Sequence, residues 1–388
     1  MTTLALLAAT VAAASCGGSS SSAKSRATTS SSEAPITGSP AGTGATLPGT
    51  APARSTPLFA HYYLWWADAH WKSRLGPSYP YTQQPPPLPS TLAANGCTAQ
   101  ASYPGAQLVD VPAPPLSLYS QDDAATIRAH VEEASSAGVD GFVVSWSGTG
   151  EPDQNTTSRD FNHRLDLLVA AVNAHNASGA RRFSLMLGYE TLDNGRNPRP
   201  ATTIRNDLNY FVQHYATDPA FQVPRYGTKA VAMILDSRRI PTSELRDLMQ
   251  PLRASLTLIG DEHGATEWQR GVADFFDGDG WYWSAENPYT NAHASSTLTK
   301  LSAILHGEHK IWFAPLSPGY NKSNFGVGGT CVPRDGTTTL RTIFDTNAAS
   351  RPDGWMLISW NEFFENTYVE PSVRYGDAYL NAIRSLHT

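Results

Sequence analysis

Trp355-Met-Leu-Ile-Ser-Trp-Asn-Glu-Phe-Phe-Glu-Asn-Thr-Tyr-Val-Glu-Pro-Ser372 joins a buried-type run to a cluster of acids. Trp355 to Trp360 is apolar enough for an interior strand. Glu362 and Glu365 follow at once, three residues apart. A turn between them points both side chains into one cleft. Aromatic faces stack on sugar rings, and a carboxylate pair is the working unit of glycosidic bond cleavage. The plain alternative is a strand ending in a loop of solvated glutamates.

Seven more runs of this strand type precede it: Leu58–Trp66, Gly141–Trp146, Phe183–Tyr189, Ala230–Leu235, Leu256–Gly260, Gly280–Trp283 and Lys310–Pro315. Helix-like stretches alternate with them. Asp122–Ala137 stops at Gly138. Phe161–Ala177 sets Leu165, Leu168, Val169 and Val172 on one face. Thr242–Ala254 starts after Pro241. Thr203–Tyr215, Ser296–Leu305, Thr338–Ala348 and Asp377–Leu386 complete the series. Strands apolar on both faces and separated by helices argue for a parallel sheet. Eight of them predict a single (β/α)8 TIM barrel. A doubly wound open sheet is the alternative, but no Gly-rich fingerprint follows an early strand.

Barrel active sites lie where strands end. Trp65, Trp66, Asp68 and His70 follow the first run, and Ser147 and Gly148 the second. Tyr189-Glu190, Asp236-Ser237 and Asp261-Glu262 close the third, fourth and fifth. Trp281, Tyr282 and Trp283 mark the sixth, and Pro318 to Asn321 the seventh. Asn361 and Glu362 end the eighth. Any single aromatic here also fits ordinary core packing. The first connection, about 67–121, is long and rich in Pro and Tyr, and either walls a cleft or packs against the barrel. Burial of Glu362 or Glu365 against Trp360, Phe363 or Phe364 would raise its pKa and keep it protonated as an acid, leaving the other ionised as a base. Asn361 and Tyr368 are placed to orient the pair. Glu370, before Pro371, reads as a structural contact.

The N-terminus has a different character. Leu4–Ala14 is apolar but too short to span a bilayer, and it runs into Ala13-Ala14-Ser15-Cys16-Gly17. Residues 1–16 read as an export signal. Cys16 resembles a bacterial lipobox cysteine, although no Lys or Arg precedes it and Ala13 stands where Leu is usual. An ordinary cleaved signal is the alternative. Residues 17–56 are almost wholly Ser, Gly, Ala, Thr and Pro, the composition of a tether. The folded domain is therefore expected over 57–388, outside the cytoplasm, either anchored to a membrane through Cys16 or released. The formal net charge of −6 and the lack of a basic cluster argue against nucleic acid. Cys97 and Cys331 are the remaining cysteines and are expected to pair after export. No Cys or His spacing suggests a zinc site, so no metal or cofactor is expected.

The segment from Trp360 to Ser372 resembles the signature of glycoside hydrolase family 99, written there as Asn-Glu-Trp-x-Glu-Gly-Thr-x-Ile-Glu. His61-Tyr62-Tyr63-x-Trp65 resembles the family's first strand. Ala137 to Gly141, with the strand to Trp146, resembles its second, and Pro318-Gly319-Tyr320 its seventh. This chain has Phe363 where the family has Trp, and Asn366 where it has Gly. The resemblance covers about 57–385 and extends to the α-1,3-glucanases of family 71. It implies endo-acting cleavage of an α-mannoside or α-glucan without metal. Glu362 would act as base on the sugar's own 2-hydroxyl to form a 1,2-anhydro intermediate, and Glu365 as acid and then base. Tyr62 and Tyr320 would stack on sugar. Tyr63, Trp65, Trp146, Tyr189, Glu190, Trp283, Asn361 and Tyr368 are further candidates to line the substrate site. The expected partner is a polysaccharide or glycan, and the expected state a monomer. The competing reading is a non-catalytic carbohydrate-binding lipoprotein on the same barrel.

Overall fold

A computed structural model describes residues 56–75, 97, 108–149, 158–193, 196–322 and 330–386. The proposed signal segment, Cys16 and the tether up to residue 55 lie outside the described residues.

Eight parallel strands close into a barrel: β1 (Leu58–Tyr63), β2 (Gly141–Trp146), β3 (Ser184–Glu190), β4 (Ala230–Leu235), β5 (Leu256–Gly260), β6 (Gly278–Gly280), β7 (Ile311–Leu316) and, after a small hairpin, β10 (Gly354–Leu357). β1 pairs with both β2 and β10, Phe59 opposite Gly141 and Leu58 opposite Trp355. That double pairing replaces the open-sheet alternative with a closed barrel. The hairpin, β8 (Tyr320–Asn321) with β9 (Cys331–Val332), sits after β7. It carries Cys331, which is disulfide-bonded to Cys97 of the first connection.

Side chains alternate along each strand. Phe59, Val143, Met186, Val231, Met233, Ile259, Phe313 and Met356 fill the barrel interior. Their neighbours, such as Leu58, Ala60, Phe142, Val144, Leu185 and Leu187, pack against the surrounding helices. Helix Ser158–Ala177 buries the stripe Leu165, Leu168, Val169 and Val172 read from its periodicity. Tyr226 reaches under the barrel, its ring 5.0 Å from Phe313 and 6.3 Å from Phe59, and closes the N-terminal end.

Several boundaries differ from the sequence reading. β1 ends at Tyr63 and β10 at Leu357, because both chains then bend to make the rim. Helix Thr242–Met249 passes into a 3-10 segment, Gln250–Ala254, where Pro251 has no N–H to continue the α-helix. The sixth strand is Gly278–Gly280, and Trp281 to Trp283 lie beyond it. An added Cβ at Gly278 would fall 2.4 Å from Ile311 O, and one at Gly280 3.2 Å from Phe313 Cβ, so glycine is required at the first position and relieves a tight contact at the second. The first connection also contains a helix, Asp68–Leu75.

Candidate active site

After β10 the chain forms a tight turn from Ser359 to Thr367. Ser359 N–H donates to Thr367 O at 2.8 Å, and Thr367 N–H to Glu362 O at 3.1 Å. Ser359 Oγ accepts from Glu362 N–H at 2.9 Å. Asn366 has φ +57°, a left-handed conformation that Asn tolerates better than most residues. It can therefore stand where the family signature has glycine.

Asn361 does not face substrate. It is fully buried, and its amide brackets the backbone of Tyr63: Oδ1 accepts from Tyr63 N–H at 2.9 Å and Nδ2 donates to Tyr63 O at 3.0 Å. Trp66 Nε1 donates to Asn361 O at 2.7 Å. The first and last barrel strands are thereby locked together at the rim.

The back of the turn is aromatic. Phe363 stacks on Tyr368 at 4.2 Å and meets Trp66 and Trp71 edge-on. The position usually held by Trp thus serves packing. Tyr368 is buried, and its hydroxyl donates to Asp110 at 2.7 Å, so it too belongs to the support. Asp110 comes from the returning arm of the long first connection. Arg334 is buried between the rings of Tyr368, Tyr375 and Tyr379, 4.1–4.6 Å from their centroids. It donates to Asn366 O at 3.1 Å, Tyr368 O at 2.6 Å and Tyr379 OH at 2.8 Å.

The two carboxylates occupy unlike surroundings. Glu362 is buried, and its Oε1 accepts from Phe364 N–H at 2.8 Å. Burial first, and then the charge of Glu365, push its pKa well above the ordinary carboxylate range; the Phe364 N–H and Arg74 only partly offset this. Glu365 is partly open. Its Oε1 lies 3.4 Å from Lys322 Nζ, and its backbone O accepts from Asn321 N–H at 2.7 Å. Both contacts come from the β8–β9 hairpin, which also carries Tyr320.

Opposite the turn, Tyr63 and Tyr282 share a hydrogen bond of 2.5 Å between their hydroxyls. Burial first, then neighbouring charge, keeps both phenols protonated: Glu362 and Glu190 bear on Tyr63, and Tyr63 and Glu365 on Tyr282. Glu190 points inward and accepts from Ser145 Oγ at 2.6 Å; burial raises its pKa to about 7. Trp281 and Trp283 stack at 4.3 Å, and His263 stacks on Trp281 at 5.1 Å, forming a flat wall. Trp65 stacks on Tyr63 at 4.3 Å. Tyr320 is mostly buried within the field of both Glu362 and Glu365, which with burial holds its phenol protonated.

The structure thus gathers Glu362, Glu365, Tyr63, Trp65, Glu190, Trp283 and Tyr320 at the C-terminal rim. It removes three others from the cleft. Tyr62, Trp146 and Tyr189 occupy the alternate positions of their strands and face the helices. Tyr62 OH pairs with His130 Nδ1, Trp146 Nε1 donates to Asn162, and Tyr189 OH donates to Asp207. Asn361 and Tyr368 support the turn from behind. Glu370 is a structural contact, accepting from Tyr119 OH at 2.9 Å beside His130. Sequence reasoning passed over Ser145 and Lys322 and gave Tyr282 no role. The inward parity of Ser145 with Val143 was the available signal. Among the described residues no group of three or more His, Cys, Asp or Glu side chains is arranged to hold a metal.

A closed parallel barrel with two glutamates on one rim turn, faced by phenols and stacked indoles, defines a glycoside hydrolase. The chain belongs to glycosyl hydrolase family 99, whose model matches residues 58–381. Two solved structures of the family-99 endo-alpha-mannosidase from Bacteroides thetaiotaomicron share its fold. The one in complex with bis-tris propane is 20% identical, with a TM-score of 0.64 over 86% of this chain and 97% of that one. The other is also 20% identical, with a TM-score of 0.64 over 85% and 96%. A glycoside hydrolase-like protein is similar at 14% identity and a TM-score of 0.56, over 72% of this chain and 90% of its own. No curated protein matches the chain.

Proposed function

We propose that this glycoside hydrolase is exported and cleaves within α-linked mannose or glucose chains, using Glu362 as base and Glu365 as acid and base. The observation that carries this reading is the carboxylate pair on one rim turn; the division of roles follows the family signature that Glu362 and Glu365 match, since burial alone would hold Glu362 protonated. A buried carboxylate with a raised pKa is a stronger base once ionised. Phe364 N–H holds Glu362 in one orientation, and Glu365 is open to a leaving oxygen and to water.

In this reading Glu362 removes the proton of the substrate's 2-hydroxyl. The freed O2 attacks C1 as the C1–O bond to the leaving sugar breaks, and Glu365 protonates that departing oxygen. A 1,2-anhydro sugar results. Glu365, now ionised, takes a proton from water, which attacks C1 and opens the three-membered ring. Glu362 returns its proton to O2. Two inversions at C1 give net retention. The endo-alpha-mannosidase activity of the two structural relatives supports an α-mannoside before an α-glucan. Export through residues 1–16, attachment at Cys16 and a monomeric state belong to the same proposal.

Two experiments test it. Digestion of α-mannans and α-glucans, with products sized by mass spectrometry, should release oligosaccharides; release of monosaccharide alone would refute endo action. A 2-fluoro substrate should stay uncleaved and leave the protein mass unchanged. A covalent adduct on Glu362 would replace the anhydro route with direct attack on carbon.

A further inference from the structure

The β8–β9 hairpin reaches the carboxylate pair at Glu365. Glu365 O accepts from Asn321 N–H at 2.7 Å, and Lys322 Nζ lies 3.4 Å from Glu365 Oε1. Side chains alternate along an extended chain, so Tyr320 and Lys322 share one face of the hairpin and Asn321 takes the other. Burial agrees with this parity: Asn321 is fully buried, while the Lys322 side chain keeps 32% of its surface open. Asn321 lies opposite Cys331 across the hairpin, and the Cys97–Cys331 disulfide ties that second strand to the first connection. The hairpin backbone therefore fixes where the Lys322 ammonium can reach.

The two ends of the cleft come from different elements. After burial, the charge acting most on Tyr63 of β1 is that of Glu362, and then that of Glu190. On Tyr320 of the hairpin, again after burial, Glu365 acts before Glu362. Tyr63, Glu190 and Ser145 thus stand with Glu362, and Tyr320 and Lys322 with Glu365.

An ammonium carries three N–H donors. Glu365 takes one, at a long 3.4 Å, and among the described residues Lys322 has no other partner. The remaining donors are free for a ligand in the cleft. Glu365, as acid, must stand beside the oxygen that leaves. A donor next to Glu365 Oε1 therefore meets the departing sugar, not the sugar whose C1 is attacked.

We propose that Lys322 is a specificity-determining residue for the leaving side of the scissile bond, donating to ring hydroxyls of the departing sugar. The inference rests on the roles given above to Glu362 and Glu365. Glu190, Glu362 and Glu365 share this cleft, so the contact suits neutral hydroxyls and not an acidic substituent. Holding the departing sugar here turns its glycosidic oxygen toward Glu365. The contact therefore favours departure of a sugar and does nothing for a small leaving group.

The test compares two substrates that share their non-leaving part. One is an α-manno- or α-gluco-oligosaccharide that the parent cleaves; the other is the α-glycosyl fluoride of the same fragment, which releases fluoride in place of a sugar. In Lys322→Met, kcat/KM should fall about tenfold to a hundredfold further on the oligosaccharide than on the fluoride, the usual worth of a hydrogen bond from a charged group. Equal losses on both substrates would make Lys322 a support of the turn, and no loss on either would make it idle; each result overturns the proposal. A change confined to one limb of the pH–rate profile would place its effect on the proton of Glu365, and would overturn it too. A parent that cleaves no α-linked oligosaccharide refutes the reading of the two glutamates, and this inference falls with it. With an active parent, the comparison decides this inference alone.

Discussion

Replacing Arg334 with Met should loosen, from behind, the turn that carries Glu362 and Glu365. The guanidinium holds four oxygens, Asn366 O and Oδ1, Tyr368 O and Tyr379 OH, and lies against three aromatic rings. Arg334→Met keeps the apolar stem and removes all three donors. Each stranded buried acceptor costs about 1–3 kcal/mol. Relief from holding a buried cation offsets part of that sum, and breaking such a site typically leaves a net loss of about 3–5 kcal/mol. Urea unfolding followed by tryptophan fluorescence would measure it as a lower midpoint at unchanged slope. Leu340→Ala, a buried change of similar expected cost away from the turn, is the control. Turnover should fall well below that of the control, because Asn366 follows Glu365 directly. A midpoint shift worth less than about 1 kcal/mol, or turnover equal to the control's, would show that Arg334 does not hold the site.

Glu362→Gln and Glu365→Gln should each lower turnover about 10²–10⁴-fold with the fold retained; near-parental turnover in either variant removes that residue from the chemistry. Because Glu362 must be ionised to act as base and its pKa is raised by burial, activity should climb with pH above the ordinary carboxylate range; an acid limb at about 4.5 or below would contradict this. Glu286 is buried, bonded to Asn347 Nδ2 at 2.8 Å, and burial raises its pKa from 4.5 to about 7. Its folded-state pKa exceeds the unfolded value, so its contribution is fully present below about pH 4.5 and is lost as pH rises through about 7. Glu286→Gln should remove that decline and exceed the parent's stability at pH 8; parallel midpoint–pH curves would rule it out.

The order of strands and helices was legible because every barrel strand but one is an apolar run bounded by loop residues. The exception, Gly278-Asp-Gly280, has no apolar side chain, since its neighbours fill the space its own side chains would occupy. The carboxylate pair was legible from its position after the last run. The aromatics that line the cleft were only partly so. In β1 both alternating sets, Phe59-His61-Tyr63 and Leu58-Ala60-Tyr62, are buried, one by the barrel interior and one by helices. A strand buried on both faces has no polar side to reveal its parity. Tyr62 and Tyr63 therefore look alike in sequence and differ entirely in the structure. Lys322 escaped notice because its contact with Glu365 depends on how the β8–β9 hairpin folds back over the rim.

The bracket between Asn361 and Tyr63 joins residues 298 positions apart, where the last strand meets the first. Pairing so distant in sequence is slow to form, because the chain between must be ordered before the contact rewards it. The carboxylates lie just past this closure, so a nascent chain that has not reached residue 361 has neither a closed wall nor the proposed catalytic pair. Catalytic competence in this barrel is therefore acquired in one late step, when the ring shuts.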